Sequence, residues 1–220
     1  MLKQDFSHIS TWVFDLDNTL YPPVTRLFDQ IEQRMTAWVM RNLGLNQMRA
    51  DALRESYWQA HGTTLAGLMA AHSIDPSDFL ADVHDIDFSG LTRDHTLARQ
   101  ISALPGRRII FTNADTLYAT RVLERRGLSG LFDAIYGIEE TGYQPKPGRP
   151  AFEAVLRLDG FAPEQAVMFE DDPRNLAEPH LMGMRTVLVT PTPSDDAPGN
   201  AHIHYQTTDL NSFFARLAEA

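Results

Sequence analysis

Residues 13–21 read VFDLDNTLY, an apolar run that ends in two carboxylates, Asp15 and Asp17, followed by Asn18 and Thr19. A strand that finishes in aspartates gathers negative charge where nothing in the strand can neutralise it. Each carboxylate repels the other unless a cation or a shared proton intervenes. The stretch is either a turn with two solvated acids or the floor of a site.

Short apolar or β-branched runs of the same kind lie at 11–15, 107–112, 133–138, 165–169 and 185–190, with helical patterns at 115–127, 149–159 and 173–183. Strands alternating with helices predict a doubly wound α/β domain built on a parallel sheet. The alternation breaks once, because the residues between the first two runs read almost wholly helical. Leu27, Ile31, Met35, Trp38 and Val39 share one helix face, as core packing requires. Further helical patterns follow at 47–60, 63–72, 76–84 and 92–103. The expected organisation is an α/β core from 1–20 and 95–220, with a helical insert at 21–94. The Pro-rich stretch at 190–200 is expected to be a surface connection with solvated aspartates.

Composition narrows the function. Hydrophobic residues make up 43% of the 220, enough for a core, and no run approaches the roughly 20 apolar residues of a membrane span. The first ten residues lack the apolar segment of a signal peptide. Cysteine is absent, which excludes disulfides and a thiolate nucleophile and suits a reducing cytoplasm. A net charge of −10 argues against nucleic acid as a partner, and an anionic substrate would need local cations.

Ligands of open parallel sheets sit outside the carboxyl ends of the strands. There the first strand offers Asp15, Asp17, Asn18 and Thr19, and the second offers Thr112 and Asn113. Lys146 follows the third, and the fourth ends in Glu170, Asp171 and Asp172 before Pro173. Singly, each has an ordinary explanation: Asn113 as part of a helix start, Lys146 as a solvated cation, Asp172 as a helix N-cap before proline. Together they make coherent chemistry. A divalent cation lets the acids of the first and fourth strands coexist, and oxygen donors of this kind suit magnesium. Thr112 and the free N–H groups of the next helix can hold phosphate oxygens, with Lys146 balancing charge. A carboxylate beside a metal and a clamped phosphate is a nucleophile.

The strings FDLDNTLYP, GTTLAGL, FTNAD, PKPGRPAF and FEDDPRNL resemble the haloacid dehalogenase-like superfamily, and within it the pyrimidine 5′-nucleotidase-type branch. That resemblance implies Asp15 as nucleophile, Asp17 as general acid and base, and Thr112, Asn113 and Lys146 as the phosphate-binding residues. It implies Mg²⁺ on the Asp15 carboxylate, the Asp17 main-chain carbonyl and Asp171. The helical insert would be a mobile cap over a small phosphate monoester, a pyrimidine nucleotide. Glu170 is assigned to the metal's outer shell, and Pro179 is expected to kink the helix after Asn175. The alternatives are a phosphatase of a sugar phosphate or phosphoglycolate, and a phosphosugar mutase. A receiver module, a catalytically dead binding module and carbon–halogen cleavage fit less well, given the length of the chain and the presence of Asp17. His202 and His204, two apart on an expected strand, are a further metal candidate without a third ligand.

Overall fold

A computed structural model describes residues 2–193 and 201–219. From residue 194 to 200, the Pro-rich stretch and its aspartates lie outside the described residues. Six parallel strands form one sheet: β1 (Thr11–Phe14), β2 (Arg107–Phe111), β3 (Ala134–Tyr136), β4 (Ala166–Glu170), β5 (Arg185–Val189) and β6 (Tyr205–Thr207), in the order β3-β2-β1-β4-β5-β6. All four residues of β1 and all five of β4 are buried, because helices cover both faces. Side chains alternate between two apolar layers, with Trp12 and Phe14 in one and Val13 in the other. In the first layer Phe14 stacks on Phe169 of β4, ring centroids 5.0 Å apart.

Helix α1 (Leu2–Phe6) precedes the sheet. Between β1 and β2 come α2 (Leu27–Leu43), α3 (Gln47–His61), α4 (Thr64–His72), α5 (Pro76–Val83) and α6 (His95–Ser102). The starts of α3 to α6 are written locally. Asn46, Thr63, Asp75 and Asp94 each accept a main-chain N–H of the first turn, and Pro76 supplies the preset φ of a first helical position. On α2, Leu27, Ile31, Trp38 and Val39 are buried and Met35 packs against the same cluster. Helices α7 (Thr116–Arg126), α8 (Arg149–Asp159), α9 (Ala177–Leu181) and α10 (Leu210–Glu219) complete the chain.

Two expectations need correction. The helix expected at 173–183 is divided into a 3₁₀ turn, Pro173–Leu176, and α9. Pro179 stands in the first turn of α9, where no intrahelical acceptor awaits its missing N–H, so the proline helps to restart the helix rather than to kink it. His202 and His204 precede β6 instead of lying on it. His202 Nε2 donates to the Pro173 carbonyl at 2.8 Å, and His204 Nδ1 accepts from the Thr186 N–H at 3.2 Å. Each therefore has a ring nitrogen already engaged.

Candidate active site

The sheet order puts the carboxyl ends of β2, β1 and β4 side by side, with β1 at the centre. Asp15 extends β1 by one rung, its N–H bonded to the Phe169 carbonyl at 2.9 Å. The chain then turns. Asn18 takes a positive φ of 58°, which asparagine tolerates better than most residues, and Leu20 N–H closes on the Leu16 carbonyl at 2.9 Å. That turn sets Asp17 and Tyr21 close enough for the phenol to donate to Asp17 Oδ1 at 2.6 Å.

Lys146 is 1% exposed and sits among acids. Its ammonium donates to Asp15 Oδ1 at 2.6 Å, to Glu170 Oε1 at 2.8 Å and to the Phe111 carbonyl at 3.0 Å, which uses all three of its protons. Burial pulls the ammonium down, but Asp15 and Glu170 outweigh it and hold Lys146 charged. Asn113 fixes the backbone beneath this side chain. Its amide donates to the Lys146 carbonyl at 3.1 Å and accepts the Lys146 N–H at 2.8 Å. The Asn113 side chain, expected on phosphate, is thus committed to the lysine's main chain. Thr112, 1% exposed, accepts the Ala114 N–H at 3.0 Å.

The acidic trio divides by task. Glu170 accepts from Lys146 and, at 2.6 Å, from Asn175 on one oxygen, and from the Asp172 N–H at 2.7 Å on the other. Asp172 caps the 3₁₀ turn through the Arg174 N–H at 2.9 Å and pairs with the Arg174 guanidinium. Asp171 carries neither duty. One oxygen each from Asp15, Glu170 and Asp171 can be chosen so that all lie within 4.8 Å of one another. Burial pushes Asp171 up to about 9, helped by the charges of Glu170 and Asp15. Burial also pushes Asp15 up to about 7, although Lys146 opposes it. One ammonium cannot neutralise three carboxyls, two buried and one half-buried, and an all-oxygen donor set short of positive charge fits a hard divalent cation.

Asp17 has a different environment. Tyr118 of α7 donates to the same Oδ1 as Tyr21, at 2.7 Å. Burial raises Asp17 above the ordinary carboxylate range even though both phenols favour its ionised form. Burial and the neighbouring Asp17 push both phenols up, so they remain protonated donors. Neither tyrosine was singled out for the core site in the sequence, although Tyr21 stands four residues after Asp17 and Tyr118 three after the cap residue Asp115. His84 follows the last residue of α5. It is buried, paired through Nδ1 with Asp115, and stacked on Tyr118 with centroids 4.3 Å apart.

Above these groups lies a cavity of about 400 Å³. Its floor includes Asp15, Asp17, Thr112, Lys146 and Asp171, and its roof includes Phe28, Ile31, Glu32, Arg54, Glu55 and Trp58 of α2 and α3. The inserted helices meet the core closely here. The Arg174 guanidinium lies 3.5 Å from the centre of the Trp58 ring, and a Cβ on Gly62 would come within 2.8 Å of the Lys146 carbonyl.

The chain is 28% identical over 193 residues to Phosphate metabolism protein 8 of Saccharomyces cerevisiae, covering 80% of this chain and 60% of that protein. Over 93 residues it is 37% identical to Ribulose-1,5-bisphosphate 5-phosphatase of Halopiger xanaduensis, covering 42% of this chain and 38% of that one. The chain thus spans 60% and 38% of the lengths of these curated relatives. The structure of CbbY from Rhodobacter sphaeroides in complex with phosphate superposes with a TM-score of 0.65 at 16% identity, over 95% of this chain and 96% of that one, a likeness of fold. The haloacid dehalogenase-like hydrolase family matches residues 9–178. With the strand-end acids, the buried lysine and the parallel sheet, that match makes the chain a member of the haloacid dehalogenase-like hydrolases.

Proposed function

We propose that the chain is a cytoplasmic, magnesium-dependent phosphomonoester hydrolase that works through an aspartyl-phosphate, and that residues 21–94 form a cap over its substrate. The observation that carries this reading is the buried Lys146–Asp15 pair at the floor of a cavity also lined by Asp17 and Asp171. Asp15 and Asp171, with the Asp17 carbonyl, would hold Mg²⁺, since Glu170 and Asp172 are engaged elsewhere. When bound, the metal supplies the positive charge that keeps both carboxyls ionised and draws charge from phosphoryl oxygens.

The chain's own residues do the rest. Lys146 aims Asp15 and balances its charge. Thr112 already accepts from Ala114, so its hydroxyl proton is free to donate to a phosphoryl oxygen. A carboxylate oxygen of Asp15 attacks phosphorus, and the P–O bond to the alcohol breaks as Asp17 gives the leaving oxygen a proton. Asp17, now a carboxylate, takes a proton from water as that water attacks phosphorus. The bond from phosphorus to Asp15 breaks, releasing phosphate and restoring both residues.

A pyrimidine nucleoside 5′-monophosphate suits the roof best. Glu32 and Glu55 outnumber Arg54 there, and the Arg54 guanidinium is shared with Thr36 at 2.7 Å and Glu32 at 3.4 Å. A wall with that balance disfavours a second phosphate. It suits a neutral leaving group with a flat ring and hydrogen-bonding edges, beside apolar Phe28, Ile31 and the 41% exposed Trp58.

The test is a panel of uridine, cytidine and adenosine monophosphates, sugar phosphates, a sugar bisphosphate and phosphoglycolate. The expected result is the highest kcat/KM for the pyrimidine nucleotides, with turnover abolished by excess chelator and restored by Mg²⁺. Preference for a non-nucleotide ester would remove the nucleotidase assignment and leave the phosphatase. Full activity in chelator would exclude the metal, and inertness toward every ester would end the reading.

A further inference from the structure

Asp17 receives two phenol hydroxyls on one oxygen. Tyr21 at 2.6 Å and Tyr118 at 2.7 Å both donate to Oδ1, and the two hydroxyls lie 3.3 Å apart. An oxygen that accepts two donors has no place for a proton of its own. Oδ2 is the oxygen left to serve the cavity that Asp17 lines. Each phenol is itself firmly placed. Tyr21 is 1% exposed and follows the turn that carries Asp17. Tyr118, also 1% exposed, is anchored where its N–H meets the Asp115 cap at 2.6 Å. Over its ring lies His84, at the end of α5, which pairs with the same Asp115. The inserted helices therefore press on one of the two groups that orient Asp17.

We propose that Tyr21 and Tyr118 are positioning residues for the proton donor, locking the Asp17 carboxyl in the rotation that presents a protonated Oδ2 to the departing oxygen. The proposal rests on the phosphatase reading above and deepens it. Two phenols that merely satisfied a buried acid would matter for stability and would affect all substrates alike. A positioning role has a different signature. A leaving group that departs readily as its anion needs no proton, whereas an alkyl alcohol does.

The experiment compares kcat/KM, which reports every step through departure of the alcohol, for p-nitrophenyl phosphate and for the best alkyl ester of the panel. Wild type, Tyr21→Phe, Tyr118→Phe, the double variant and Asp17→Asn are measured, with a melting curve for each. Asp17→Asn should lower kcat/KM for the alkyl ester by about 10²–10⁴-fold; the double phenylalanine variant should lower it by about 10–100-fold while changing that for p-nitrophenyl phosphate by less than about 3-fold. KM for the alkyl ester should hardly move. If the double variant fails to fold, the single variants carry the test, each with a loss confined to the alkyl ester. Equal losses on both esters, or no loss in either single variant, would overturn the proposal. A wild type inactive on both esters would instead overturn the phosphatase reading beneath it.

Discussion

Asp15→Asn is expected to lower phosphomonoester turnover by more than about 10⁴-fold, because removing the attacking group removes the covalent route itself. The fold should survive. Asparagine keeps the shape of Asp15 and can still accept from Lys146, which retains Glu170 as its charged partner. Stability has a definite sign in the metal-free protein. Burial raises the Asp15 carboxyl from 3.8 unfolded to about 7 folded, so the folded state holds a proton that the unfolded state has released. Stability of the wild type should fall as pH rises through that window, and the asparagine variant lacks this loss. At pH 7 and above, without metal, the variant should unfold at equal or higher urea than wild type. A variant that melts far below wild type would mean that the Asp15 charge supports the fold.

Lys146→Met is expected to be the costliest substitution for stability, at about 3–5 kcal/mol in urea unfolding, because it leaves buried acids without their cation. Both Asp15 and Glu170 would lose their charged donor, and the Phe111 carbonyl a hydrogen bond. Activity should be lost with it, since Asp15 would be neither aimed nor balanced. Adding Glu170→Gln should recover part of the stability and none of the activity, because it removes one of the stranded charges but not the need to orient Asp15. Equal stability of Lys146→Met and wild type would show that the buried pair does not hold the site together.

The strands were legible because a strand covered on both faces has little choice of composition. TWVF of β1 and AVMFE of β4 are buried throughout and read as continuous apolar runs apart from their ends. Helix α8 was legible to the residue, 149–159, with Pro150 opening it and Gly160 in a left-handed conformation closing it. Shorter and terminal elements escaped. Helix α10 carries Leu210, Phe213, Phe214 and Leu217 at helical spacing, a signal that was present and unused. In the site, the strand-end acids and Lys146 could be found because sheet topology says where such residues converge. Their division of labour could not. That Asn113 holds the Lys146 main chain while Glu170 holds the ammonium depends on side-chain directions across 33 and 24 residues of chain. The meeting of Tyr21 with Tyr118 spans 97 residues, and that of His84 with Asp115 spans 31, so no local pattern announces either.

The central claim is that the phosphoryl group passes through Asp15. The direct measurement mixes enzyme, Mg²⁺ and the best ester of the panel, quenches in acid within a turnover, and maps the peptides by mass spectrometry. The account predicts one added phosphoryl group on the peptide containing Asp15, formed as fast as the alcohol appears and absent from Asp15→Asn. Release of alcohol and phosphate at the full rate with Asp15 never modified would contradict it.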